Sequence, residues 1–175
     1  LLGTLPGGRL VAIAARDKIL TQGTGNPGPF LWHHKGHNGL AAVCFLLEAG
    51  KIMAAMQLAW WLTSAAEVAL AAGVLAVVGH GYSPFLRFIP CRGGVVYLGF
   101  ALGVSLWAGV GLAALWGAVY MYFNRQNMAL FAVLLAMPAV LFYLEGTNPA
   151  LSAIVLFAYG LWHHRWQFLT TRIFS

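Results

Sequence analysis

From Gly94 to Phe123 the chain is almost wholly apolar and carries no charged side chain. A helix rises about 1.5 Å per residue and a bilayer's hydrocarbon core is about 30 Å thick, so one crossing uses about 20 residues. The run is too long for one ordinary span, and a division into two helices near Ser105 to Ala108 is predicted. Composition carries the same message. Charged residues make up 8% of the chain, against about 25% in a typical soluble domain that must wet its surface. A soluble globule is excluded, and the expected fold is an all-α membrane protein, a single domain over residues 1–175.

The remaining apolar stretches give a polytopic bundle of about seven transmembrane helices. Leu1 to Ala15 reads as the end of a first helix that is incomplete here. Asp17 to Asn38 is polar and rich in Gly, Pro and His, the composition of a loop. Helices are predicted over Gly39 to Leu62 and, past a Thr63-Ser64 break, over Ala65 to Gly79. A second polar loop, His80 to Gly93, precedes the long run. Asn124 to Gln126 makes a basic turn, Asn127 to Leu144 a helix, and Glu145 to Asn148 another turn. The last helix is predicted from Pro149, a good first helical residue, to Trp162. His163 to Ser175 reads as an interfacial tail.

Ten Lys and Arg against four Asp and Glu give a net charge of +6. In a membrane chain that excess marks loops facing the cytoplasm, not nucleic acid. Alternating crossings put Lys18, Lys35, Arg87, Arg92, Arg125, Arg165 and Arg172 on one face, and Glu145, with Glu67 nearby, on the other. The basic face is therefore expected to be cytoplasmic, in the cell inner (plasma) membrane. Arg9, inside the first helix, must face the bundle or snorkel. Glu48 and Lys51 lie one turn apart within a membrane helix, where charges are costly; they are either functional or neutralise each other. Cys44 and Cys91 imply no disulfide framework.

Three polar segments share the basic face. In Gly23-Thr24-Gly25-Asn26-Pro27-Gly28, closely spaced glycines let backbone N–H groups converge on an anion, while Thr24 and Asn26 add side-chain hydrogen bonds. The same hexapeptide also reads as a plain tight turn. From Gly79-His80 to Arg92-Gly93-Gly94, an Arg beside glycines at a helix start suits phosphate, although Arg87 and Arg92 also serve as topology anchors. His163-His164-Arg165 offers a proton-transfer group beside a phosphate-binding one, or simply an interfacial belt. His33, His34 and His37 hint at zinc, but no Cys or carboxylate in that loop completes a site, so no metal is expected.

In order and spacing these segments resemble the bacterial acyl-phosphate:glycerol-3-phosphate acyltransferase family, small enzymes with seven membrane helices. Leu1 to Pro6 is similar to the family's LLGSIP, and Gly23 to Gly28 to GSGNPG with Thr24 in the Ser place. Glu48-Ala49-Gly50-Lys51 matches an acidic-x-x-Lys pair. Gly79 to Gly93 is similar to GHxFPVFxxFKGGKG, with Arg92 in the place of the second Lys, and His164-Arg165 falls on the HR of RHREN. The resemblance implies transfer of a fatty acyl group from acyl phosphate to glycerol 3-phosphate, giving lysophosphatidic acid without cofactor or metal. It further implies catalytic roles for Thr24 and His164. Phosphate or substrate binding falls to Gly23, Gly25, Asn26, Gly28, Lys35, His80, Arg92, Gly93 and Arg165.

Departures from the pattern bear on activity. After Gly28 the family's ATN is replaced by Pro29-Phe30-Leu31, the first Lys of FKGGKG by Ile89, its Gly-Gly by Pro90-Cys91, and the terminal Glu and Asn by Trp166 and Gln167. Each charge-assisted contact contributes about 1.5–3 kcal/mol, so several losses together would slow turnover by orders of magnitude. Two readings follow: a divergent acyltransferase of phospholipid synthesis, or an inactive descendant serving as a structural subunit of a larger membrane assembly, such as an energy-converting complex. Seven Trp and eleven Phe could cover a partner's surface in the second case.

Overall fold

The computed structural model describes residues 1–17, 27–89, 91 and 93–170, with side chains through 165. Eight α-helices are present among them: α1 (Gly7–Ala14), α2 (Pro29–His34), α3 (Asn38–Thr63), α4 (Ala66–Gly81), α5 (Val95–Val104), α6 (Leu106–Phe123), α7 (Gln126–Glu145) and α8 (Thr147–Thr170). Short 3-10 turns cover Leu2–Thr4 and Pro84–Leu86. Four segments, Asn38–Thr63, Ala66–Leu86, Leu106–Phe123 and Gln126–Glu145, are long and apolar enough to cross a membrane, and Val95–Val104 is a shorter apolar helix. The all-helical polytopic bundle expected from the sequence is present.

Local chemistry places the breaks. Ser105 is extended between α5 and α6, dividing the long apolar run inside the predicted window. Ser64 and Asn124 end α3 and α6 in the left-handed conformation, where a short polar side chain is tolerated better than a bulky one. Large apolar side chains such as Leu62, Leu75, Trp107 and Tyr143 face outward, as lipid-facing residues should. The core is formed inside by Ile52, Val77, Phe100, Leu112, Met137 and Leu156.

Three segments differ from expectation. Leu1 to Ala15 is not one helix end: Pro6, which has no N–H to donate, separates the 3-10 turn from α1. The loop Asp17 to Asn38 contains α2, begun by Pro29 at its first position. Finally, α8 runs on to Thr170, so His163, His164 and Arg165 lie within the helix and not in a tail beyond it. Arg9 is exposed, with Nη1 donating to the Phe85 carbonyl at 3.2 Å.

Close helix contacts rest on glycine. A Cβ on Gly99 of α5 would sit 2.6 Å from the Ala49 carbonyl oxygen and 2.8 Å from its Cα on α3. Gly103, one turn on, meets Met56 and Met53 of the same helix. The pair is a small-residue seam of the kind that lets membrane helices touch backbone to backbone. Gly117 on α6 has nothing within 4 Å of such a Cβ. Gly99→Ala is expected to cost about 1–3 kcal/mol through overpacking, and Gly117→Ala to be neutral or stabilising by up to about 1 kcal/mol. Thermal unfolding of both variants in detergent checks the contrast.

Candidate functional site

The bundle has two differentiated ends. At one, the end of α3, the start of α4 and the α7–α8 turn line an open cleft of about 640 Å³ that includes Glu145. At the other, Gly28, His80, Gly93 and His164 line one cavity of about 170 Å³. One member of each of the three polar segments thus meets the others.

The second segment is built into place by hydrogen bonds from elsewhere. Ser83 Oγ donates to the Thr4 carbonyl at 2.5 Å, and the Cys91 N–H donates to the Gly81 carbonyl at 2.9 Å. His163 Nε2 lies 3.0 Å from the Cys91 carbonyl oxygen. A carbonyl can only accept, so Nε2 carries the proton. Through that bond α8 is tied to the residue beside Arg92, and His164 follows into the cavity wall.

Beneath the cavity lies an ionic cluster. Glu48 and Lys51 are 3% and 9% exposed, with Lys51 Nζ 2.5 Å from Glu48 Oε2. The same ammonium reaches the Leu5 carbonyl at 2.6 Å and His80 Nδ1 at 2.9 Å. Glu48 Oε1 accepts the Gly8 N–H at 3.1 Å. An ammonium has three protons and no lone pair, so these three partners use it fully. His80 Nδ1 also lies 3.2 Å from Glu48 Oε2, so it faces both the ammonium and the carboxylate, with Nε2 on the ring's other side. A Cβ on Gly93 would lie 2.6 Å from that Nε2, so the glycine is what lets the ring approach the cavity's edge.

The cavity wall favours anions. Gly93, Gly94, Val95 and Val96 bring the N-terminus of α5 to it, and Gln126 and Asn127 bring that of α7. Neither helix start has a side-chain cap, and unsatisfied N–H groups at a helix start attract negative charge. His80 Nε2 and Trp116 Nε1, both buried, have no hydrogen-bond partner among the described residues. The two helix starts are thus the features of the wall that suit a phosphate-sized group.

Other predicted site residues are placed differently. Lys35, at the end of α2, pairs with Asp17 Oδ1 at 3.9 Å and does not line the cavity. Arg165 lies outside it too, with Nη1 donating to the Trp162 carbonyl at 2.7 Å and its guanidinium over the Trp162 ring at 4.9 Å. Gly23, Thr24, Gly25, Asn26 and Arg92 lie outside the described residues. Sequence reasoning missed Trp116, Gln126 and Asn127. The last two sit beside a basic turn already assigned to the cavity's face, a usable signal, whereas nothing distinguishes Trp116 from the six other tryptophans.

Breaking the cluster should be costly. Lys51→Met leaves the Glu48 carboxylate buried without its cation and is expected to lose about 3–5 kcal/mol, most of it regained in Glu48→Gln/Lys51→Met. A double-mutant cycle of thermal unfolding in detergent measures both.

Comparison with known proteins gives a consistent picture. The family model described as glycerol-3-phosphate acyltransferase matches residues 1–171. A glycerol-3-phosphate acyltransferase of Mesorhizobium japonicum is 31% identical over 157 residues, spanning 89% of this chain and 80% of that protein. The one from Paramagnetospirillum magneticum is 30% identical over 166 residues, covering 94% and 82%. Crystal structures of PlsY, an integral membrane glycerol 3-phosphate acyltransferase, share the fold. Its glycerol 3-phosphate form superposes with a TM-score of 0.83 at 22% identity, over 98% of this chain and 88% of that one. The lysophosphatidic acid form gives 0.84.

Proposed function

We propose that this chain, which belongs to the glycerol-3-phosphate acyltransferase family, transfers a fatty acyl group from acyl phosphate to glycerol 3-phosphate, yielding lysophosphatidic acid and phosphate. The observation that carries this reading is a cavity lined by Gly28, His80, Gly93 and His164 and walled by two uncapped helix starts. Both substrates are phosphates, and such a wall suits their oxygens.

In the reaction, the hydroxyl of glycerol 3-phosphate attacks the acyl carbonyl carbon. The new ester C–O bond forms as the bond from that carbon to the phosphate oxygen breaks. Phosphate is already a good leaving group, so the protein's task is to hold two like-charged substrates together and neutralise them. Thr24, Gly25 and Asn26, just ahead of Gly28, hold one phosphate; Arg92, between Cys91 and Gly93, clamps one. His80 is held at the cavity's edge by Lys51 and Glu48. His164 takes the proton of the attacking hydroxyl. Since Lys35 and Arg165 stand outside the cavity, their share is to draw anions toward its mouth.

The protein sits in the bacterial inner membrane with the cavity at the cytoplasmic side. Lys35, Arg87, Arg125 and Arg165 gather at the cavity's end of the bundle while Glu67 and Glu145 occupy the other, the bias expected of cytoplasmic loops. Acyl phosphate then arrives through the bilayer and glycerol 3-phosphate from the cytoplasm.

Purified protein given palmitoyl phosphate and glycerol 3-phosphate should release phosphate and form lysophosphatidate, with His164→Ala reducing kcat by about 10²–10⁴. No product above a boiled control, from protein whose circular dichroism is helical, overturns the reading.

A further inference from the structure

We propose that the cleft at the Glu145 end of the bundle binds a zwitterionic phospholipid bearing a primary ammonium, with Glu145 as the counter-ion of that ammonium. The site lies at the opposite end of the bundle from the phosphate cavity and does not depend on the function proposed above.

The cleft, about 640 Å³ in volume, is mixed in character: Leu70 and Val104 belong to its apolar wall, and Gln57, Trp60, Glu145 and Asn148 to its polar one. Among the described residues that line it, Glu145 is the only charged one. Glu145 is also the last residue of α7, where the carbonyl end of the helix dipole opposes a carboxylate. The C-terminal turns of α3 and α5 reach the same cleft through Trp60 and Val104. Three carbonyl ends and a carboxylate therefore share one volume. Among the described residues Glu145 has no ion pair and no side-chain hydrogen bond to offset them. A bound cation is what such a volume favours.

The depth of the cleft decides where that cation comes from. Trp60, Trp61, Trp107 and Tyr143 are all exposed, and they lie at the end of α3, the start of α6 and the end of α7. Exposed Trp and Tyr gathered at one end of a membrane bundle form the aromatic belt that sits among lipid headgroups. The cleft opens at the same level, so its ligand is a headgroup, with the lipid's apolar part against Leu70 and Val104.

The second charge of that headgroup is also provided for. Ala66 and Ala69 bring the first turn of α4 to the cleft, and α4 has no side-chain cap, so its free N–H groups suit a phosphate. An anionic headgroup would use that helix start but bring no cation to Glu145. A primary ammonium has three protons, which can be shared between the carboxylate and amide oxygens such as those of Gln57 and Asn148. A quaternary ammonium has none to give.

The test delipidates the full chain in detergent and titrates it separately with dioleoyl phosphatidylethanolamine, phosphatidylcholine and phosphatidylglycerol, counting bound lipid by native mass spectrometry. Glycerophosphoethanolamine, which carries the headgroup without chains, is a fourth ligand. The expected result is saturable retention of phosphatidylethanolamine at an affinity about tenfold or more above the other three ligands, the contribution of one charge-assisted contact. Glu145→Gln should bring phosphatidylethanolamine down to the level of phosphatidylcholine. Its thermal midpoint without added lipid should stay at or above the parent's, because the charge opposed by the end of α7 is gone. Equal retention of the three lipids, equally tight binding of glycerophosphoethanolamine, or unchanged phosphatidylethanolamine binding in Glu145→Gln overturns the proposal. Acyl transfer is not part of the readout, so each of these outcomes leaves the proposed function where it stands.

Discussion

One ammonium group joins the parts of this molecule that must not move. Lys51 meets the Leu5 carbonyl, Glu48 and His80, linking the N-terminal segment, α3 and α4 in the buried interior. The break at Pro6 matters here. A continuous helix would have engaged the Leu5 carbonyl in its own ladder, whereas the interruption leaves it available to the cation. Glu48 is fixed in turn by the Gly8 N–H at the start of α1. A buried ion pair gains little stability over apolar packing, but each partner makes the other indispensable. What the cluster supplies is placement: it holds a histidine ring at the cavity's edge.

Much of this was legible in the sequence because the bilayer simplifies the problem. With backbone groups denied water, an apolar run must be helical, and its breaks fall at the few residues that tolerate another conformation. Ser64, Ser105 and Asn124 are of that kind. The Glu48 and Lys51 pair was also visible, since two opposite charges one turn apart in a membrane helix invite each other. That His80 completes their cluster was not, because 29 residues separate it from Lys51 and only the packing of α4 on α3 brings them together.

Other features were hidden for definite physical reasons. His163 and His164 looked like part of a tail because Trp and basic residues suit an interface as well as a helix end. The structure resolves the ambiguity through the bond from His163 to the Cys91 carbonyl, a partner 72 residues away. The short α2 was masked by loop-like composition, although Pro29 is a good first helical residue. Trp116 carried no signal at all. A tryptophan in an apolar run reads as packing, and its place in the cavity wall is settled only by how the helices pack.

The motif losses take on a different meaning in this setting. A count of missing polar side chains treats each as an independent deletion, yet an anion site is defined by how many donors face the same volume. Here backbone N–H groups from α5 and α7 contribute regardless of which side chains precede them, because a helix start exposes them by construction. His80 owes its position to Lys51 and Glu48 rather than to the glycine-rich segments. Phe30 stacks on the Trp116 indole and so packs the cavity wall where the family pattern has a polar side chain. Loss of polar residues from the motifs is therefore not equivalent to loss of the cavity, whose wall of helix starts does not depend on those side chains. Backbone N–H groups held in a helix lose little conformational entropy on meeting a ligand and need little reorganisation, which is why helix starts serve as anion sites with few charged side chains beside them.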